Sequence, residues 1–318
     1  MPAMTFEEFK EYATRNIMQY LPPEYANGEV AVYEVTKLGG SYTGLSVRTK
    51  ERKTAVTVNL DQYYKEYQKF NMTGHIMRDM AQTIMTHSMK NDLEWITDYE
   101  QVRDKLFVRL SNSESNKAVL ANAPHVMKED LVMTCHVLVS KDDSVASTIV
   151  NDSLFKAYGI TEEQLFADAT ENSQRLFPIK VQPLESFIYD MAAGEGYEHP
   201  INDKNHMLVV TNDMGINGAS AMFYPKAMEK ISDMIDDDYY IIPSSIHECL
   251  VIPESDHISY KHLESILHEV NAGMVAESEQ LSSHVYHYDS AVQLFELADD
   301  YALRTRQSEY EFSTVYSM

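Results

Sequence analysis

The stretch DLVMTCHVLVSKDDSVASTIV, residues 130–150, decides the fold class of this chain. Its first half, Asp130–Ser140, is apolar and rich in β-branched residues, a composition typical of a buried strand. Val145–Val150 has the same character, and the polar turn Lys141-Asp142-Asp143 separates the two. Two strands joined by so short a turn pair antiparallel, because parallel strands need a long crossover. The segment therefore predicts a β-hairpin.

Hairpins flanked by helices are also predicted toward the N-terminus. Val30–Leu38 and Tyr42–Arg48 are expected to pair around Gly39-Gly40. Thr5 and Glu8 form a capping-box pattern, which predicts the start of a helix. Antiparallel hairpins layered with helices indicate an α+β protein with two lobes, and they argue against a doubly wound parallel sheet.

The C-terminal half is predicted to continue the order of hairpins and helices. Strands are expected at His206–Thr211 and Gly218–Phe223, and a helix over Pro225–Ile235. A second pair of strands is expected at Tyr239–Ile242 and Cys249–Ile252. A second helix is expected over Tyr260–Val270, ended by Gly273, so the predicted order of the region is hairpin, helix, hairpin and helix.

The order of elements predicts three regions along the chain. They are an N-terminal α+β lobe over 1–123, an acidic C-terminal α+β lobe over 124–290, and a helical or frayed tail over 291–318. Residues 194–205, GEGYEHPINDKN, have the composition of a loop. Within the tail, Ala291–Tyr301 is predicted to form one helical run.

The net charge of −23 is distributed unevenly. Residues 1–150 hold 17 Lys and Arg against 20 Asp and Glu, whereas residues 151–318 hold 9 against 29. A field of this sign repels nucleic-acid phosphates, so we expect no direct nucleic-acid binding. It attracts basic protein surfaces, and it also favours solubility without any specific partner.

Cysteine content and hydropathy predict a cytoplasmic location. Cys135 and Cys249 are too few for a disulfide framework and too far apart for a CxxC motif. The segment Met1–Glu8 becomes acidic at once and lacks the features of a signal peptide. No apolar stretch approaches the roughly 18–20 residues that a membrane span needs.

Common catalytic and cofactor motifs are absent from the sequence. It contains no GxGxxG, Walker A or GxSxG motif, and His247-Glu248 is not followed by the second histidine of HExxH. We therefore expect no cofactor, and no motif specifies a reaction.

The segment Pro243-Ser244-Ser245-Ile246-His247-Glu248 is the strongest catalytic candidate. Ser244 or Ser245 would be the nucleophile, His247 its base and Glu248 the residue that orients the base. Neighbours on a strand point to opposite faces, so His247 and Glu248 would share one pocket only at a bulge. The alternative is a turn in which these side chains satisfy local backbone groups.

Histidines and aspartates elsewhere in the sequence are further candidate site residues. His125 is a loop histidine or a second contributor to a catalytic site. His284 and His287 could bind a metal with Asp289 if they lay on a helix, but Val285, Tyr286 and Tyr288 favour a strand, on which the two histidines face opposite ways. We therefore expect no metal site here.

The run Asp236-Asp237-Asp238 invites comparison with a calcium loop. It lacks the spacing and the glycine of an EF-hand, so an acidic turn that ends a helix is favoured.

Several short motifs, taken in order, resemble those of an uncharacterised bacterial family of unknown function (DUF5688-like). They are Thr5-Phe6-Glu7-Glu8-Phe9, Asp98-Tyr99-Glu100-Gln101-Val102, Ala123-Pro124-His125, Gly159-Ile160-Thr161-Glu162-Glu163, Asn217-Gly218-Ala219 and Pro243–Glu248. The resemblance covers roughly residues 4–290 and implies kinship with accessory proteins of conjugative elements and phages. It implies no activity, substrate or catalytic residue.

Two functions from different classes follow. The first is a non-enzymatic interaction protein whose acidic surface binds a basic surface of another protein. The alternative is a hydrolase or transferase that uses the turn Ser244–Glu248. Nothing in the sequence specifies an oligomeric state.

Overall fold

A computed structural model describes residues 4–49, 56–90, 94–141, 145–193 and 207–315. The chain forms two compact units, Met1–Gln101 and Val102–Met318. The predicted α+β class with antiparallel hairpins is confirmed. The domain limits expected from the sequence stay a prediction. The two units themselves divide after Gln101.

The first unit packs helices on a three-stranded sheet of order β1-β2-β3. Its elements are α1 (Phe6–Asn16), β1 (Glu29–Lys37), β2 (Gly40–Arg48), β3 (Val56–Asn59), α2 (Leu60–Phe70) and α3 (Thr73–Lys90), followed by the short helix α4 (Tyr99–Val102) where the units divide.

The predicted start of the first helix is confirmed in atomic detail. The Glu8 backbone N–H donates to Thr5 Oγ1 at 3.3 Å, and the Thr5 N–H donates to Glu8 Oε2 at 2.8 Å. This reciprocal pair satisfies two amide groups that the helix itself leaves without acceptors. Phe9 and Ile17 are fully buried and belong to the same hydrophobic core as Met77.

The second unit begins with a sheet built around one long buried strand. Its elements are β4 (Leu106–Asn112), α5 (Lys117–Leu120), β5 (His125–Lys128), β6 (Leu131–Ser140), β7 (Ala146–Ile149), α6 (Asp152–Tyr158) and α7 (Glu162–Leu176). β6 pairs with β4 along one edge and with β5 and β7 along the other. The hairpin predicted over residues 130–150 is therefore confirmed, and its pairing with β4 places β4 in the second unit.

A six-stranded antiparallel sheet makes up the rest of the second unit, in the order β13-β12-β10-β11-β9-β8. Its elements are β8 (Ile179–Pro183), α8 (Leu184–Ala193), β9 (Leu208–Asn212), α9 (Ala227–Ile235), β10 (Tyr239–Ile242), β11 (Cys249–Pro253), α10 (Tyr260–Gly273), β12 (Tyr286–Asp289), β13 (Leu294–Leu297) and α11 (Ala298–Val315). The loop predicted over 194–205 lies outside the described residues.

The strand predicted at Gly218–Phe223 is wrong, because this segment forms a 3-10 helix. Asn217 enters it in the left-handed conformation, and the Ala219 N–H donates to the carbonyl of Ile246 at 3.2 Å. The segment is largely buried, and apolar composition alone does not separate a short strand from a short buried helix.

The single helical run predicted at Ala291–Tyr301 is also wrong. A hairpin comes first, with β13 pairing β12, and α11 begins at Ala298. The Asp289 carboxylate accepts the N–H groups of Ala291 and Val292, which folds the chain back into that hairpin.

None of the helices within the described residues is long and apolar enough to cross a membrane.

Candidate functional site

An open groove on the second unit concentrates negative charge. Its volume is about 580 Å³. The lining residues are Glu229, Ser232, Asp233, Asp236, Asp237, Asp238, Tyr288, Ser290 and Gln293. We call it the acidic groove.

Helix α9 supplies one wall of the acidic groove because its acidic residues recur at helical spacing. Glu229, Asp233 and Asp236 follow one another at intervals of four and three residues, which places them along one stripe. Asp236 ends the helix in the left-handed conformation. The prediction that Asp236-Asp237-Asp238 is an acidic turn at the end of a helix is therefore confirmed.

The other wall is held in place by backbone amides. Asp238 Oδ1 accepts from the N–H and the hydroxyl of Ser290 at 2.9 and 2.6 Å. Asp237 Oδ2 accepts from the Ser255 N–H at 2.9 Å. Among the described lining residues there is no lysine or arginine, so the negative potential of the groove faces solvent without an internal counterion.

A second cluster lies beside the groove and shares Asp238 with it. One oxygen each of Asp238 and Glu254 and one ring nitrogen of His287 lie within 4.8 Å of one another. His287 Nε2 and Glu254 Oε2 lie 3.6 Å apart. His287 is fully buried, whereas the two carboxylates are partly exposed.

Strand register brings these three residues together. Tyr240 on β10 lies opposite Ile252 on β11 and opposite His287 on β12. Asp238 is two residues before Tyr240, and Glu254 is two residues after Ile252, so the antiparallel register brings them opposite each other. The Glu254 N–H donates to the Asp238 carbonyl at 2.9 Å. Side chains two residues apart on a strand share a face, so all three point to one side of the sheet.

Tyr301 on α11 covers the cluster. Its ring stacks on the ring of His287, and its hydroxyl donates to the Glu254 carboxylate, 2.9 and 3.1 Å from the two oxygens. Burial lowers the pKa of His287 to about 4, against the opposing effect of Asp238 and its acidic neighbours. Burial and the nearby charges of Asp238 and Asp237 raise the pKa of Glu254, although the Tyr301 hydroxyl opposes this.

Arg304 lies next to this cluster, but its guanidinium is hydrogen-bonded to carboxylates outside the cluster. Its guanidinium donates to Glu296 Oε1 at 2.6 and 3.0 Å and to Asp289 Oδ2 at 2.8 Å. Within the described residues, no lysine or arginine forms an ion pair with Asp238 or Glu254. The cluster therefore combines two carboxylates and a buried imidazole without a counterion bonded to them.

The turn Ser244–Glu248 has a different arrangement from a catalytic triad. Both hydroxyls, of Ser244 and Ser245, donate to Glu248 Oε1 at 2.7 Å. The Nδ1 atom of His247 accepts the backbone N–H of Asn217 at 3.2 Å, and its Nε2 lies 3.7 Å from Glu279.

These contacts serve the turn itself. The serine hydroxyls are engaged by a carboxylate, and the His247 side chain is not hydrogen-bonded to either serine. The backbone N–H of His247 donates to Ser245 Oγ at 2.9 Å, which is a local turn contact. The enzyme hypothesis stays a prediction that this geometry does not favour.

The remaining candidate histidines lie apart from the cluster. His125 begins β5, is exposed, and its Nδ1 lies 2.9 Å from the Ala123 carbonyl. His284 precedes β12 and lies 3.9 Å from Glu264. Asp289 is bound by Arg304. The helix on which His284, His287 and Asp289 could have shared one face does not form, because His287 and Asp289 lie on strand β12, as their neighbours favoured.

The Asp238–Glu254–His287 cluster was not predicted from the sequence, because its members are distant from one another in the chain. A usable signal was present: Asp238 and Glu254 each adjoin the end of an apolar strand, and His287 stands between two tyrosines of β12. Finding the cluster from this signal would have required the strand order.

Comparison with known proteins identifies a family. The chain matches a family described as a family of unknown function (DUF5688) over residues 6–290. No curated protein and no solved structure matches it.

Proposed function

We propose that this chain, which belongs to the family of unknown function DUF5688, is a non-enzymatic interaction protein whose acidic groove binds a basic segment of a partner protein. The observation that carries the proposal is the groove itself: five carboxylates line it, and no lysine or arginine is among its described lining residues.

The charge of the whole second unit supports this proposal. Residues 102–318 hold 15 Lys and Arg against 35 Asp and Glu. A surface with this excess steers a cationic segment toward the groove and raises its association rate. The same field opposes the approach of nucleic-acid phosphates, so the proposed partner is a protein rather than DNA or RNA.

The shape of the groove favours an extended segment rich in lysine or arginine. Glu229, Asp233 and Asp236 form a stripe along α9, and Asp237 and Asp238 continue it toward β10. Long basic side chains can lay their ammonium or guanidinium groups against such a stripe while their stems cover apolar surface.

The cellular setting is part of the same proposal. The sequence resemblance to accessory proteins of conjugative elements and phages supports a bacterial protein associated with mobile elements. Cys135 and Cys249 are both buried free thiols, which fits the reducing cytoplasm. In that setting a basic, nucleic-acid-binding protein would be a suitable partner.

A binding titration with matched variants tests the proposal. The probe is a fluorescein-labelled peptide rich in lysine and arginine, added to the full chain at several salt concentrations. Affinity should fall as salt rises. The triple variant Glu229→Gln, Asp233→Asn, Asp236→Asn should bind roughly tenfold more weakly, at about 0.5 kcal/mol for each exposed charge removed.

The control variant is Glu171→Gln, Glu269→Gln, Glu277→Gln, which removes the same charge from exposed positions outside the groove. It should bind as the wild type does. Binding that ignores salt, or equal weakening in both variants, would contradict a specific role for the groove. Affinity capture from the native host followed by mass spectrometry would then identify the basic partner.

A further inference from the structure

We propose that Asp238, Glu254 and His287 bind one divalent first-row transition-metal cation, through one carboxylate oxygen from each acid and one imidazole nitrogen. This inference is independent of the peptide-binding function, although Asp238 borders both sites.

The spacing of the three side chains suits a shared cation. Their ligand atoms lie within 4.8 Å of one another, and Glu254 Oε2 is 3.6 Å from His287 Nε2. Ligands about 2.0–2.2 Å from a metal ion are separated from one another by distances of this order. Small rotations of the two carboxylate side chains would bring their oxygens within bonding distance of a shared cation, with the backbone unchanged.

The buried imidazole provides the independent sign of a ligand. His287 has no exposed surface, and within the described part of the chain neither of its ring nitrogens has a hydrogen-bond partner. Buried polar atoms without partners are rare because they lose their bonds to water and gain nothing in return. A cation held between His287 and the two carboxylates would satisfy one of these nitrogens.

The local charge also favours a cation. Arg304 is a basic side chain close enough to influence His287, and its donors are directed at Glu296 and Asp289. Asp238 and Glu254 therefore remain as two adjacent carboxylates whose mutual repulsion a divalent ion would relieve.

Tyr301 positions two of the three ligands. Its hydroxyl donates to Glu254, and its ring covers the face of the His287 imidazole. Groups that hold ligands in this way restrict their orientation before the metal arrives, and they strengthen metal sites in proteins generally.

The donor set indicates the class of cation. Calcium and magnesium prefer sites made of oxygen ligands alone, whereas imidazole suits zinc, iron, nickel and copper. One nitrogen and two oxygens therefore favour a transition metal such as Zn²⁺. Three protein ligands also leave a coordination position for water or for a ligand from outside.

Cobalt titration of the full chain, first freed of metal by a chelator, tests the site directly. Co²⁺ should bind at one equivalent with a visible absorption band, and Zn²⁺ should displace it. Glu254→Gln and Asp238→Asn should each weaken Co²⁺ binding roughly tenfold or more. Glu269→Gln, an exposed carboxylate on α10, should leave binding unchanged.

Further variants separate this site from general attraction to the acidic surface. The triple variant of the groove, Glu229→Gln, Asp233→Asn, Asp236→Asn, should retain Co²⁺ binding. His287→Gln should abolish the imidazole contribution to the spectrum. If that buried change prevents folding, as judged by thermal unfolding, the two carboxylate variants still decide the question.

Three results would overturn the proposal. The first is the absence of saturable binding at one equivalent. The second is unchanged affinity in Glu254→Gln and Asp238→Asn, or equal loss in the triple variant of the groove. The third is saturation by Ca²⁺ or Mg²⁺ at lower concentrations than by Co²⁺, which would reject a transition metal.

Discussion

The rings of Tyr301 and His287 lie face to face, with centroids 3.5 Å apart and an interplanar angle of 8°. Tyr301 belongs to α11, beyond the region that matches the family, whereas His287 belongs to β12 within it. The part of the chain after residue 290 therefore closes the Asp238–Glu254–His287 cluster, and it is an integral part of the second unit.

Removing the Tyr301 hydroxyl should separate its two roles. Tyr301→Phe keeps the stack on His287 but leaves Glu254 without its donor. Because Tyr301 and Glu254 are both partly exposed, we expect a loss of about 1 kcal/mol in the free energy of unfolding, below the range for a buried bond to a charged group. Tyr301→Ala loses the stack as well and should cost more. Urea unfolding of both variants measures the difference. Equal stabilities of the two variants would show that the ring contributes nothing.

Gly218 should tolerate no side chain. A Cβ there would lie 2.5 Å from the His247 carbonyl oxygen and 2.7 Å from the Asn212 nitrogen, both backbone atoms. Gly218→Ala should therefore lower the free energy of unfolding by about 3 kcal/mol or more. Gly273→Ala, in α10, is the matched control, because nothing lies within 4 Å of its added Cβ.

The control change should leave stability unaltered or raise it by up to about 1 kcal/mol, since alanine favours helix more than glycine does. Chemical denaturation of both variants gives the comparison. A Gly218→Ala variant as stable as Gly273→Ala would mean that the close approach of these backbone segments is not maintained in solution.

Both thiols should be unreactive in the folded chain. Cys135 and Cys249 are buried, and burial raises the pKa of each thiol far above its ordinary value. A raised pKa keeps the protonated form at neutral and mildly alkaline pH, and only the thiolate reacts readily. Labelling with a disulfide reagent should be slow for the native chain and should reach two thiols in denaturant. Fast labelling of the native chain would contradict the burial of these residues.

Asp130 should couple the two sheets of the second unit. It follows β5 and accepts hydrogen bonds from the Tyr286 hydroxyl on β12 and from Ser282 Oγ, the latter at 2.7 Å. Burial, followed by the charge of Asp130, raises the pKa of Tyr286 and keeps its hydroxyl protonated as a donor. Tyr286→Phe should cost roughly 1.5–3 kcal/mol, the range for a hydrogen bond to a charged group.

A double-mutant cycle with Asp130→Asn tests whether this cost comes from the pair. The two changes should be clearly non-additive, because either one removes the same contact. Additive costs would place the effect of Tyr286→Phe in packing rather than in the bond to Asp130. Ser282→Ala, combined with Tyr286→Phe, measures the contribution of the second hydroxyl that donates to Asp130.

Local features allowed much of the fold to be predicted. The capping box at Thr5 and Glu8, the hairpin around Gly39-Gly40, and the turn after Asp130–Ser140 all act over a few residues. The two errors, at Gly218–Phe223 and Ala291–Tyr301, arose where packing decides between helix and strand. Their apolar composition is compatible with either structure.

The candidate site was less predictable because its residues meet only through pairing. In the sequence, His287 stands near His284 and Asp289, yet in the sheet it lies beside Tyr240 and close to Glu254. A shift of one residue in the register of β12 would have turned His287 to the other face. The partners of Ser244 and Ser245 were also not predictable from the sequence. Their proximity to both His247 and Glu248 in the chain did not show that both hydroxyls would donate to Glu248.

The sequence by itself determined the α+β class, the principal helices and hairpins, and the concentration of negative charge in the second unit. These depend on local propensity, capping and composition, which each residue carries with it. Only the tertiary structure decided that α9, the turn after it and the hairpin of β12 and β13 form an acidic groove and that the buried His287 lies close to Asp238 and Glu254. Contacts between residues that are distant in the sequence depend on strand order, register and helix docking. These are cooperative properties of the whole chain rather than of any one segment.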